Sequence, residues 1–233
     1  MKKLLIALTA SALFAFSASA QELDMVDIPG KDFKMLKTEV TQELYEEVMG
    51  ENPSNFKGAN NPVEKVSWYD AIYFCNMLSM KKGLNPVYAV DGETDVAKWD
   101  YIPHKGNWLG EVTQDVNASG FRLPTVEEWE YAAKGGENYE YSGSNNLDEV
   151  GWSSINSNDM THEVARKKPN GYGLYDMSGN VWEWCWDSDG GCRYYCGGSW
   201  HLIDCYSMVV SRIGDYTDER CDYVGFRIVC NAD

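Results

Sequence analysis

The sequence predicts an α+β fold, with helices early and an irregular, β-rich second half. Three observations predict it. Capped helical periodicity is confined to the stretch before Gly136, and it is absent from Leu147 onward. In that second half, short aromatic segments alternate with Gly, Asn, Asp and Ser. The chain has 233 residues, 44% hydrophobic and 13% aromatic, enough to bury a substantial core. No break in composition divides it, so residues 21–233 read as one domain.

Met1-Lys2-Lys3 supplies a positive start, Leu4 to Phe16 an apolar run, and Ser17-Ala18-Ser19-Ala20 small residues before Gln21. That is the layout of a secretory signal peptide over residues 1–20. The run is too short to span a bilayer comfortably, and no later stretch is apolar enough. Export to the periplasm or the outer surface is therefore expected. No cysteine at the cleavage point marks a lipid anchor. Residues 21–28 read as a linker.

Three helices follow. Thr41 caps the first, Leu44 and Val48 share a face, and Gly50 ends it. Ser67 and Asp70 form a capping box for the second, in which Ala71, Phe74, Cys75 and Leu78 repeat at helical spacing before Gly83. Cys75 on that stripe reads as a small core residue rather than a reactive thiol. Thr125 and Glu128 box the third, which turns Trp129 and Ala132 inward and ends near Gly135-Gly136. Between the second and third lies a hairpin pattern: Pro86 to Val90, the Asp91-Gly92 turn, then Trp99 to Ile102.

The formal charge of −16 repels phosphate backbones, which makes nucleic acid a poor partner. Six of the seven cysteines (Cys185, Cys192, Cys196, Cys205, Cys221 and Cys230) lie in the last 49 residues. Export allows disulfides, with at least one thiol left over. Zinc ligation is disfavoured, because there is no C-x-x-C and no histidine at ligand spacing.

Several segments occur in a telling order. Thr38-Glu39-Val40-Thr41 precedes Asn52-Pro53-Ser54-Asn55-Phe56 and Asn61-Pro62-Val63-Glu64-Lys65-Val66-Ser67-Trp68. Then come Gly120-Phe121-Arg122-Leu123-Pro124-Thr125, Glu128-Trp129-Glu130-Tyr131-Ala132-Ala133 and the run from Asn170 to Trp184. Gly197-Gly198-Ser199-Trp200 and Gly225-Phe226-Arg227 complete the set. From about Met25 to the C-terminus the chain resembles the formylglycine-generating-enzyme (sulfatase-modifying factor) family, a branch of the C-type-lectin-like fold. Trp129, Trp182 and Trp184 then read as core, and Arg122 and Arg227 as buried guanidinium groups needing carboxylate or carbonyl partners.

The resemblance carries two metal expectations. Asn180 and Glu183 match a turn that can hold calcium through the amide, backbone carbonyls and the carboxylate; a hydrogen-bonded turn without an ion is the equal alternative. Catalytic members hold copper(I) with two cysteines after the Gly-Gly-Ser-aromatic motif. Here those places fall on Leu202 and Ser207, so no catalytic residue or required cofactor is expected. Cys205 lies between them and could restore one ligand but hardly two. A retained copper-dependent oxidase is the alternative. Acid pairs such as Glu127-Glu128 and Asp187-Asp189 read as solvated surface, and no hydrolase or phosphate-binding motif is present.

The segment from Cys192 to Cys230 lacks strand or helix periodicity between its fixed islands. It contains no Lys or Gln, and Trp200, Met208 and Glu219 are isolated exceptions to a restricted alphabet. That alphabet is reachable from an asparagine codon ending in a pyrimidine once its adenines are replaced. In this the chain resembles the variable proteins of diversity-generating retroelements; an ordinary divergent loop region is the other reading. Tyrosine-rich surfaces make adaptable binding faces. The expected ligand-binding residues are Tyr194, Tyr195, His201, Leu202, Ile203, Cys205, Tyr206, Ser211, Ile213, Gly214, Asp215, Tyr216, Cys221, Asp222 and Tyr223. Together they predict an exported, monomeric binder of a protein ligand at the cell surface; a structural envelope component is a third reading.

Overall fold

The computed structural model describes residues 22–107 and 110–232, so the signal-peptide expectation for residues 1–20 lies outside the described residues. The first half contains β1 (Met25–Asp27), β2 (Phe33–Leu36), α1 (Gln42–Met49), α2 (Trp68–Lys81), β3 (Tyr88–Val90) and β4 (Val112–Gln114). Helices α3 (Val126–Lys134) and α4 (Leu147–Val150) lead into the second half. There β5 (Trp182–Asp189), β6 (Cys192–Cys196), β7 (Arg212–Tyr216), β8 (Val224–Gly225) and β9 (Val229–Asn231) complete an α+β fold.

The helix ends follow the caps in the sequence. Thr41 accepts the Leu44 N–H, and Gly50 closes α1 in the left-handed region. Ser67 with Asp70, and Thr125 with Glu128, form complete capping boxes on α2 and α3. Beyond Leu147 one short helix forms where none was expected, because the Asn146 side chain accepts the Asp148 N–H.

Two strand expectations change. Met25–Asp27 is not linker but pairs antiparallel with β2, which also pairs with β9. The Asp91-Gly92 turn forms with Val90 bridging Glu93, yet β3 pairs with β4 instead of Trp99 to Ile102. Asp95 caps a 3₁₀ turn at Val96–Lys98, and Trp99 buries its ring while its indole donates to the Glu93 carbonyl. The aromatic alternation there reflects core burial, not a pleat.

The main sheet has the order β7-β6-β5-β8, with β8 parallel to β5 and the other pairs antiparallel. Trp182 and Trp184 of β5 lie in a core with Tyr45, Phe74 and Phe226, while Trp129 centres a second cluster with Ile28, Met177 and Val209. Arg122 and Arg227 are the expected buried guanidinium groups. Arg122 binds both Glu128 oxygens at 2.7 Å, and Arg227 binds both Glu183 oxygens at 2.7 Å. Glu128 and Asp187 are thus not solvated surface: the first pairs with Arg122, and the second accepts the Val126 N–H at 2.7 Å at the start of α3.

Candidate ligand-binding face

The face is built on β6, the edge strand β7 and the two irregular segments flanking β7. Tyr194, Gly214 and Tyr216 share one side of the sheet, while Ile213 stands opposite Tyr195 on the other side and is exposed at the sheet edge. After β6, Gly197 and Gly198 turn at φ +99° and +80°. A Cβ on Gly198 would lie 2.7 Å from the Tyr206 carbonyl oxygen and the Ser207 Cα, so only glycine lets the chain fold this closely onto the 3₁₀ turn Asp204–Ser207. That turn is pinned by Ser153 Oγ donating to Asp204 Oδ1 at 2.8 Å and by Ser211 Oγ donating to the Cys205 carbonyl at 3.1 Å. Its side chains Cys205 and Tyr206 project to solvent beside exposed Ile203.

The second segment, residues 217–223, is anchored by Arg220. Its Nε donates to Asp70 Oδ2 at 2.8 Å, and its Nη2 donates to the Tyr101 hydroxyl and the Gly106 carbonyl. Burial pushes the Asp70 carboxyl up, but Arg220 and the His104 and Ser67 N–H groups outweigh it and hold it below the ordinary aspartate value. On this anchor, Tyr223 lies 4.3 Å from the His201 ring, His201 lies 5.2 Å from Trp200, and Trp200 packs edge-on against Phe56 at 5.2 Å. Burial lowers the pKa of His201 below the ordinary histidine value, against the opposing pull of Asp222.

The structure sorts the expected ligand residues into three groups. Ile203, Cys205, Tyr206, Ile213, Gly214 and Tyr216 are exposed. Tyr194, His201, Leu202, Ser211, Asp215, Cys221, Asp222 and Tyr223 are half-buried, and Leu202, Cys221 and Tyr223 pack against the main core. Tyr195 is a correction. Its ring is buried 5.1 Å from both Trp182 and Trp184, with its hydroxyl donating to Asp215 Oδ2, because it lies opposite Trp184 on the core side of the sheet.

Sequence reasoning missed Asn55 and Phe56, which join the face from a segment distant in the chain. Asn55 donates to Asp222 Oδ2 at 3.3 Å, and the Trp200 indole donates to the Asp222 carbonyl at 3.0 Å. Their motif position was visible, but nothing in it signalled proximity to the tail. Beside the face, Tyr194 and Arg212 meet the start of α3 at a cleft of about 310 Å³, also lined by Val126, Glu127, Glu130 and Asp187. Arg212 pairs there with Glu130 at 2.7 Å.

The sulfatase-modifying factor enzyme 1-like domain matches residues 12–232. The chain belongs to that family. Among its relatives, the chaperone protein LppX of Paenibacillus barcinonensis is 44% identical over 193 residues, covering 74% of this chain and 68% of that protein. A formylglycine-generating enzyme of Streptomyces coelicolor is 32% identical over 151 residues, and the chain spans about half its length (48%). The solved structure of Treponema denticola variable protein 1 superposes with a TM-score of 0.77 at 40% identity, covering 85% of this chain and 84% of that one.

The copper expectation of the sulfatase-modifying factor family does not suit the donors present. At the copper positions, Leu202 offers no donor atom, and Ser207 offers a buried hydroxyl without a hydrogen-bond partner. At the calcium turn, the Glu183 carboxylate is bracketed by Arg227 and also accepts the Trp129 indole at 2.6 Å. Asn180 accepts the His162 N–H and donates to Glu39 Oε2 at 2.8 Å. Glu183 and Asn180 thus have hydrogen-bond partners within the fold, while the buried Asp176 Oδ1, close enough to act electrostatically on Glu183, has none.

Proposed function

We propose that this protein is an exported, non-enzymatic binding protein that presents residues 192–230 as a receptor surface for a protein ligand. One observation carries the reading. Ile203 (58% exposed), Tyr206 (42%), Val210 (56%), Ile213 (36%) and Tyr216 (66%) hold their apolar side chains in solvent, all within or beside the 3₁₀ turn and β7. Exposed apolar side chains concentrated in one stretch of chain are a feature of interaction surfaces. Tyr206 and Tyr216 add rigid contact area with a polar tip.

The superposition on a variable protein supports the same reading, as does the loss of both copper-ligand positions. Diversification by a retroelement accounts for the restricted residue alphabet. The protein acts as a monomer at the periplasmic or outer surface, with no cofactor and no nucleic-acid partner.

The test compares the mature protein with a variant carrying Ile203→Ser, Tyr206→Ser, Ile213→Ser and Tyr216→Ser as probes on an array of surface proteins. Selective binding by the first and its loss in the second, with both folded, supports the reading. Equal binding by both would sink it. A near-copy of the 3′ end of the gene differing at adenines, beside a reverse transcriptase, tests the diversification.

A further inference from the structure

We infer that Cys185 and Cys196 form a structural disulfide that fastens β6 to β5 when the chain folds in an oxidising medium. The two Sγ atoms lie 3.7 Å apart, and both side chains are fully buried in the cluster around Trp129, Met177 and Val209. Cys196 stands opposite Glu183 on the neighbouring antiparallel strand, which makes Cys185 its diagonal neighbour. Cys75 lies apart in the helical core, and Cys205 is exposed on the face.

A disulfide holds its sulfurs at about 2.05 Å, so the pair must close by roughly 1.7 Å. The strands can yield at this point. Their register shifts between Trp184 and Ser188, so the backbone following Cys185 is not held to a regular ladder. Rotation of the two thiols about χ1 supplies the rest.

The oxidant is a low-molecular-weight disulfide such as oxidised glutathione. One protein thiolate attacks it and releases a glutathione thiolate; the second attacks the mixed disulfide and releases another. Two protein thiols and one glutathione disulfide become one protein disulfide and two glutathione thiols, so the protein loses two electrons. Burial and the neighbouring Cys196 push the Cys185 thiol up, which makes attack slow in the finished fold. The bond therefore closes while the hairpin is still forming.

The cross-link would tie the strand carrying Tyr194 and Tyr195 to the strand carrying Trp182 and Trp184. It fixes the base of the face without using a face residue, and it does not depend on what the face binds.

The test is to refold the full chain in a glutathione redox buffer, block remaining thiols and map the peptides by tandem mass spectrometry. A Cys185–Cys196 link is expected, retained in Cys192→Ser and Cys205→Ala variants and lost in Cys196→Ala. Reduction should lower the melting temperature by roughly 5–10 °C. Finding both cysteines alkylated, or either joined to a different cysteine, would overturn the inference. The wild-type map decides the matter even if Cys196→Ala fails to fold.

Discussion

Glu183 carries more of the frame than its single charge suggests. It neutralises Arg227 with two hydrogen bonds, accepts the Trp129 indole, and sits on the strand that holds Trp182 and Trp184. Arg227 in turn donates to the carbonyls of Leu36 and Tyr175, so one ion pair joins four parts of the chain. Removing the charge from Glu183 takes away the one carboxylate hydrogen-bonded to the buried Arg227 guanidinium, leaving only the electrostatic influence of Glu39 and Asp176, which costs up to about 3–5 kcal/mol. Glu183→Gln is therefore expected to lower the unfolding free energy by that amount in urea titration. Because the same carboxylate is committed to Arg227, adding calcium or a chelator should leave the melting temperature unchanged. A rise with calcium would return Asn180 and Glu183 to the role of ligands. At this scale the sequence was legible where chemistry forces a partner, as with Arg122 and Arg227. It was not legible for Tyr195, because one position of strand register separates the core side of a sheet from the solvent side.

The elements beneath the face respond to pH through Glu64. Its side chain is buried under the loop 52–56, with Oε1 accepting the Phe56 N–H at 2.8 Å and Oε2 lacking a hydrogen-bond partner. Burial raises its pKa from 4.5 to about 7, and Asp222 adds to the rise. A carboxyl whose pKa is higher in the folded state contributes stability below its unfolded value, and that contribution is lost as pH rises through the folded one. Unfolding free energy should thus fall between about pH 4.5 and pH 7, by on the order of 2–3 kcal/mol from this group. Glu64→Gln should flatten that slope, as read by denaturant melts across the range; an unchanged slope would exclude Glu64 as its source. Arg220 gives the second test at this scale. Arg220→Ala removes the anchor to Asp70, so amides of residues 217–223 should exchange faster with solvent while those of α3 keep their protection. Helix ends were legible because caps are local chemistry. The β3–β4 pairing was not, since Trp99 is drawn into the core by partners that no short window of sequence contains.

Across the whole molecule, frame and face separate by burial. The most buried tryptophans, two arginine–carboxylate pairs and the close glycine turns lie inside; five of the exposed large apolar side chains fall within residues 203–216, and the others, such as Ile102 and Ile155, are scattered over the rest of the chain. The frame was legible as a family pattern, whereas the contribution of Phe56 and Asn55 required the three-dimensional path of the chain. A scaffold built this way should tolerate extensive change on the face. Surface substitutions away from caps and buried networks usually move stability within about 0.5 kcal/mol each. Ile203, Ile213 and Tyr216 make no side-chain hydrogen bond or ion pair that the fold depends on. Replacing them together with serine should therefore shift the melting temperature by only a few degrees. Trp129→Ala, which empties the centre of the second cluster, should cost about 3–5 kcal/mol. Thermal melts of the two variants side by side decide the point. A triple variant as damaged as Trp129→Ala would mean that the stretch serves packing, and the division between frame and face would fall with it.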